Sequence, residues 1–152
     1  MKVDTPLDWV VVSYEDLSKD ELYEMLHLRV KVFVVEQNCH YLDLDKKDQK
    51  AHHVLGYYNG ELVAYCRLFG KGDYFDTASI GRVVVASQFR RYGFGHQLMD
   101  KAIELQAELF GETELTISAQ LYLKKFYESH GFIKISDEYL EDEIPHIRMK
   151  RS

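Results

Sequence analysis

Arg90-Arg91-Tyr92-Gly93-Phe94-Gly95 follows the apolar run Val83-Val84-Val85-Ala86 and opens a helical pattern that runs from His96 onward. A strand, a Gly-containing basic turn and a helix together make a cradle for phosphate. The glycines let backbone approach a ligand closely. The unpaired N–H groups of a first helical turn, with the helix dipole, favour an anion there. Two arginines add charge-assisted donors. Paired glycines near a helix start are common, and alone they read as an ordinary connection. This turn, however, is basic in an acidic chain. No Gly-Lys-Ser/Thr follows, so it is not a Walker turn. Gln97 and Leu98 come where a dinucleotide fingerprint would carry its third Gly.

The wider composition agrees with a local anion site. The net charge is −6 over 152 residues, which excludes wholesale nucleic-acid binding. The size predicts a single domain, residues 1–152, with room for a real core. The hydrophobic fraction of 46% and charged fraction of 29% are those of a soluble globular protein. No apolar run suits a membrane span or a signal sequence, so a cytoplasmic location and no membrane partner are expected. Two cysteines, Cys39 and Cys66, make neither a disulfide scaffold nor a CxxC pair. Both read as structural thiols.

Along the chain, 9–14 reads as a strand, and Ser18-Lys19-Asp20-Glu21 as a capping box that starts a helix. Leu22, Leu26, Val30 and Phe33 are its expected buried stripe. Residues 38–49 read as a polar loop. The Asp43, Asp45, Asp48 run lacks the Gly and Glu of a calcium loop and reads as solvated, so no metal is expected. Asn59-Gly60 joins two strands as a hairpin. A strand over 79–86, a helix over 93–110 stopped by Gly111, and a strand over 115–118 follow. A short helix over 121–129 comes next, stopped by Gly131. Strands over 132–135 and 144–150 close the chain, separated by 136–143. This order predicts an α/β domain, a mixed central β-sheet flanked by helices on both faces.

The turn also fits the R/Q-x-x-G-x-G/A signature of the GNAT acyltransferases, and Phe126-Tyr127-Glu128-Ser129-His130-Gly131-Phe132 resembles the Y-x-x-x-G-F segment of those enzymes. Further stretches resemble one branch of the superfamily, the ElaA-like proteins. They are 28–37, Cys39 with Tyr41, 53–56, 63–68, 80–83, Ala119-Gln120 and 141–147. The resemblance covers about Leu26 to Met149. Three departures stand out. Arg91 occupies a place where such turns often carry Gly. Gln120 and Leu123 replace the usual Asn and Ala. Glu143 stands where the branch usually has Gly.

The resemblance implies the GNAT fold and acyl transfer from acetyl-coenzyme A, as acyl-donor substrate, to an amine of a small molecule or peptide. Coenzyme contacts then fall to Val83, Val84, Val85, Arg90, Arg91, Tyr92, Gly93, Phe94, Gly95, His96 and Gln120. The fourth-strand backbone at Val83 and Val85 would pair with the pantetheine arm. A strand N–H near these valines would stabilise the thioester oxyanion, a donor typically worth ~10²–10³ in rate. An alkyl amine of pKa ~10.4 costs about 4–5 kcal/mol to deprotonate at pH 7. Tyr127 is the expected partner of the departing thiolate. A phenol of pKa ~10 above a thiol at ~8.5 favours a hydrogen bond over full proton transfer. Glu36 is the first choice of base at the end of the long helix, with His53 and His146 as imidazole alternatives. Arg29, Arg67 and Arg82, in apolar contexts, either pair with Glu36 and the loop aspartates or bind an acidic acceptor group. His53 and His146 complete the expected acceptor contacts.

Two other readings stay open. Arg29 to Phe33 and the acidic loop before His53 also resemble acyl-homoserine-lactone synthases. A sensor that binds acyl-coenzyme A without turnover is the non-enzymatic alternative. The acceptor, the acyl length and the oligomeric state, a homodimer included, are not given by the sequence.

Overall fold

The computed structural model describes residues 5–152, which form one eight-stranded mixed sheet with helices on both faces. Strand β1 (Asp8–Ser13) leads through a 3-10 turn to helix α1 (Lys19–Arg29). The capping box is made in full. Ser18 Oγ accepts the Glu21 N–H at 3.0 Å, and the Glu21 carboxylate accepts the Ser18 N–H at 2.8 Å. Winding continues past Arg29 as a π-helix over Val30–Glu36. The wider turn changes the phase of the buried face. Met25, Leu28, Arg29 and Val32 are buried, while Val30 is exposed. Leu22, Leu26 and Phe33 only flank that face, so the expected stripe is corrected.

Strands β2 (His52–Tyr58) and β3 (Glu61–Phe69) meet at Asn59 and Gly60, whose φ values are +50° and +79°. Both residues tolerate that region, which is why this dipeptide makes the tight hairpin. Strand β4 (Ala78–Val85) runs antiparallel to β3. Helix α2 (Phe94–Phe110) crosses over to the parallel strand β5 (Leu115–Gln120). A 3-10 turn and the short helix α3 (Lys124–Glu128) lead to β6 (Ile133–Lys134). The closing hairpin is β7 (Tyr139–Glu141) and β8 (Ile144–Arg151). The sheet order is β1-β2-β3-β4-β5-β8-β6, with β7 also beside β8. Strand β7 lies in the segment expected to be a connection. Three residues are too few to show an alternating pattern.

Neighbouring residues of a strand face opposite ways. Val54 therefore joins Leu98, Met99 and Ala102 of α2 on one face, while Leu55 joins Met25, Leu28 and Val32 on the other.

Two irregularities open the sheet. Tyr65 pairs with Val84 and Arg67 with Gly81, so Cys66 stands opposite both Arg82 and Val83. This is a β-bulge, and Arg82 sits in it at φ +50°. Such a conformation costs an arginine about 1–3 kcal/mol and needs support from its surroundings. A bulge also bends its strand. Beyond it β4 leaves β5: the two strands pair only at Ala78 with Leu115 and Ser79 with Thr116. A crevice lies between their carboxyl ends, the usual ligand position in an α/β sheet.

Candidate active site

The crevice is a cavity of about 350 Å³ lined by β4, β5, α3, the π-helix and the β7–β8 hairpin. At one end it meets the start of α2. Ala86 donates its N–H to the Val63 carbonyl at 2.8 Å. By strand alternation the N–H group of Val85 points the other way, into the open side. The Val85 carbonyl faces that side too, where it accepts Arg90 Nε at 3.3 Å.

Gly93, at φ +82°, turns the chain into α2. The first helical hydrogen bond runs from Gln97 N–H back to the Gly93 carbonyl. This leaves the N–H groups of Phe94, Gly95 and His96 without helical acceptors. Gly95 lines the cavity. A Cβ there would meet Phe126 at 3.5 Å and Val85 at 3.9 Å, which are ordinary contacts. The protein itself therefore tolerates a side chain at Gly95, and the space in front of it belongs to the cavity. Arg91 is not among the residues with positive φ, so a non-Gly residue does not distort the turn. Arg91 is exposed.

Not every residue of the turn presents its side chain. Tyr92 and Phe94 turn into an aromatic cluster with Tyr58 and Phe89, ring centroids 5.2 to 6.2 Å apart. Neither lines the cavity, so their side chains are corrected from ligand contacts to core, and only their backbone is available. His96 is exposed, with Nδ1 2.8 Å from His130 Nε2 and its ring against Phe126. Val84 is buried against α1 and the π-helix, while Val83 and Val85 pack toward α2. Gln120 exchanges two hydrogen bonds with Gln37, at 3.1 and 3.2 Å, tying the end of the π-helix to the end of β5.

Tyr127 is buried and lines the cavity, and its hydroxyl has no hydrogen-bond partner among the described residues. Burial pushes its phenol well above the ordinary range, with smaller contributions from Cys66 and Tyr122. It thus stays protonated and presents an O–H. His146 also lines the cavity. Its Nδ1 lies 2.7 Å from the Ile144 carbonyl and its Nε2 3.4 Å from the Glu141 carboxylate. A carbonyl only accepts, so Nδ1 carries the proton and Nε2 faces Glu141. Ser118 Oγ lies 2.5 Å from Tyr139 Oη and donates to Glu141 at 3.1 Å. Ser118 and Tyr139 were not singled out from the sequence as site residues. Only the pairing of β5, β7 and β8 brings them to His146, and no local motif marks that.

Several expected site residues lie elsewhere. Glu36 does not line the cavity; its carboxylate accepts from the Arg90 guanidinium, at the rim of the basic turn. Arg29 and Arg67 are fully buried. Arg29 bonds Asp43 at 2.9 Å and Asp48 at 2.8 Å; Arg67 bonds Asp48 at 2.8 Å and Asp45 at 2.6 Å. His53 is buried between Tyr65 Oη, 2.7 Å away, and the Asp48 carbonyl, 2.9 Å away. Burial lowers its proton affinity, so it is neutral, donating to the carbonyl and accepting from Tyr65. These three residues are corrected from acceptor contacts to a buried ionic cluster. The same cluster corrects the acidic loop. Asp43 and Asp48 are not solvated but sit at 2% and 7% exposure, neutralised by arginines. Arg82 lines the cavity, but its Nε is 2.9 Å from Asp43 and its Nη2 donates to the Asp43 carbonyl at 3.0 Å. This ion pair and this hydrogen bond hold the bulge in its strained conformation. The stretch likened to lactone synthases is therefore internally paired. Among the described residues no group of three or more His, Cys, Asp or Glu is placed to hold a metal ion, and no helix is long and apolar enough to cross a membrane.

Comparison with known proteins identifies the family and the fold. Residues 13–152 match the family model described as an acetyltransferase (GNAT) domain. The chain is 42% identical over 147 residues to the protein ElaA of Escherichia coli, covering 95% of this chain and 96% of ElaA. The crystal structure of an acyl-CoA N-acyltransferase from Pseudomonas aeruginosa superposes with a TM-score of 0.89 at 42% identity, covering 96% of this chain and 99% of that one. A GNAT family acetyltransferase from Elizabethkingia anophelis, solved with acetyl-CoA bound, shares the fold at 16% identity and a TM-score of 0.69, covering 97% of this chain and 99% of that one. The chain belongs to the GNAT acyltransferase superfamily, in its ElaA-like branch.

Proposed function

We propose that the chain transfers an acyl group, acetyl in the simplest case, from acyl-coenzyme A to an amine by direct attack within a ternary complex. The observation that carries this reading is one crevice joining three features: the unbonded N–H groups at the start of α2, the unpaired backbone of β4, and the Tyr127 hydroxyl. The N–H groups of Phe94, Gly95 and His96, with Arg90 and Arg91, would hold the pyrophosphate. Val83 and Val85 would pair with the pantetheine amides, and a β4 N–H would face the thioester oxygen. His146, whose Nε2 once protonated would be stabilised by the Glu141 carboxylate it faces, takes the place first given to Glu36 and would accept the proton of the incoming ammonium. The amine nitrogen then bonds the carbonyl carbon as the carbon–sulfur bond breaks. The second proton leaves the new amide nitrogen, and the sulfur ends as the thiol. Tyr127 would donate a hydrogen bond to the departing thiolate.

Gly95→Asp tests the donor site. A Cβ fits the empty protein at this position, so the fold should survive while bulk and charge enter the anion site. Coenzyme A affinity, read by calorimetry, should fall at least about tenfold, the loss of one charge-assisted contact. Unchanged affinity in a folded variant would remove the pyrophosphate from this turn. An amine panel with acetyl-coenzyme A, followed by free-thiol release, tests the transfer itself.

Glu36→Gln has an expected outcome of its own. Its carboxylate holds Arg90 and competes with any anion bound at the turn. Removing that charge should tighten coenzyme A binding about two- to threefold, most visibly at low salt. A loss confined to acceptor kinetics would instead return Glu36 to the role of base.

A further inference from the structure

We propose that the acceptor is a small amine carrying a second positive charge that persists through the reaction, and that Asp142, with Glu141 beside it, holds that charge; this rests on the acyl-transfer reading above. Among the described residues the aspartates, glutamates, lysines and arginines that line the cavity are Arg82, Arg90, Glu141 and Asp142. Arg90 lies at the basic turn, beside Glu36. Arg82 is compensated by Asp43 at 2.9 Å and Asp45 at 3.5 Å. Of the charged lining residues, two carboxylates are therefore left without a lysine or arginine partner. Glu141 has Ser118 and His146 as neighbours but no lysine or arginine, and Asp142 makes no ion pair among the described residues. Cys39 Sγ, also in the lining, donates to the Asp142 carbonyl at 3.3 Å and pins the hairpin tip at the cavity wall.

The reacting nitrogen is not a good partner for these carboxylates. It must be neutral to attack, and an anion beside it stabilises the ammonium form that has to be lost. His146 Nε2, with the Glu141 carboxylate beside it, serves that proton transfer. A second, unpaired carboxylate suits a cation that persists through the reaction. Residues 137–143 hold five acids and no base. The chemical class that fits is an amine with a second protonated amino or guanidino group, an α,ω-diamine being the simplest.

Three probes of matched length test this: 1,4-diaminobutane, n-pentylamine and 5-aminopentanoate. Each is titrated by calorimetry into the full-length protein saturated with coenzyme A, and each is assayed for thiol release with acetyl-coenzyme A. The diamine should bind at least about tenfold tighter than the monoamine, with the gap narrowing as salt rises. The amino acid should bind weakest. Asp142→Asn should cut the preference several-fold, whereas Glu138→Gln, an exposed acid outside the cavity, should keep it. Equal affinity or equal turnover for the three probes would overturn the cation site and leave acyl transfer standing. Selective binding of the diamine with no thiol release would overturn acyl transfer and leave the cation site standing.

Discussion

Tyr127→Phe should lower kcat by about a hundredfold or more, the usual weight of a positioned proton or hydrogen-bond donor. Coenzyme A affinity should stay nearly constant, because the hydroxyl is expected to matter only once charge develops on sulfur. The ring contacts should survive. Tyr127 packs against Phe126 and Phe132 with centroids 5.1 and 6.0 Å away, and phenylalanine preserves both. No hydrogen bond among the described residues is lost with the hydroxyl, so stability should change little. The group has a pH signature as well. Burial raises the phenol above its ordinary value, so it stays protonated throughout the neutral and mildly alkaline range. The wild-type kcat should therefore show no alkaline limb from this residue below about pH 10. Steady-state kinetics of both proteins from pH 6 to about pH 10 check the prediction. Equal kcat values would leave Tyr127 as a packing residue.

Arg29→Met should destabilise the fold by about 3–5 kcal/mol, the typical result of removing one partner from a buried ionic group. Methionine restores part of the volume but none of the charge. Asp48 would keep Arg67, and Asp43 would keep Arg82, yet each carboxylate would lose a short bond made at full burial. For a domain of this size the melting temperature should drop by roughly 10 °C. Urea unfolding at pH 7 measures it directly, and a loss under about 1 kcal/mol would contradict the assigned role.

The same cluster sets the acid limb of stability. Burial alone would raise the carboxyls of Asp45 and Asp48. The hydrogen bonds and charges of Arg67 at Asp45, and of Arg29 and Arg67 at Asp48, outweigh it and hold both below the usual carboxylate range. A depressed carboxylate contributes stability above its unfolded value of about 3.9, and this is lost as the pH falls through the lower folded values. Stability should therefore decline in two stages as the pH falls: below about 6.5, where the unfolded chain protonates a His53 that the folded chain keeps neutral, and again below about pH 4 as the aspartates take up protons. In Arg29→Met the part of that decline due to Asp48 should shrink.

What could be read from the sequence, and what could not, divides by the range of the interaction. The Ser18–Glu21 box and the Asn59-Gly60 hairpin were legible because each is decided within four residues. So were the Gly93 turn and the Gly111 stop, positions whose backbone conformation itself selects the residue. The alternation of such local signals along the chain also predicted the order of elements and the helices on both faces, in agreement with the family resemblance. Tertiary structure alone decided where the charges went. The sequence could say that Arg29 and Arg67 needed partners. The partners, 14 to 22 residues away, were fixed by how the 43–48 loop folds under the sheet. Arg90 reached Glu36 across 54 residues, turning an expected base into part of the rim of the basic turn. The bulge at Arg82 and the parting of β4 from β5, which make the cavity, have no local code. They depend on strand register and on aspartates supplied by another segment. His146, Glu141 and Ser118 likewise meet only through the pairing of β5, β7 and β8. Short-range conformational preference is written residue by residue, whereas an ion pair or a crevice is settled only when distant segments are brought to the same place.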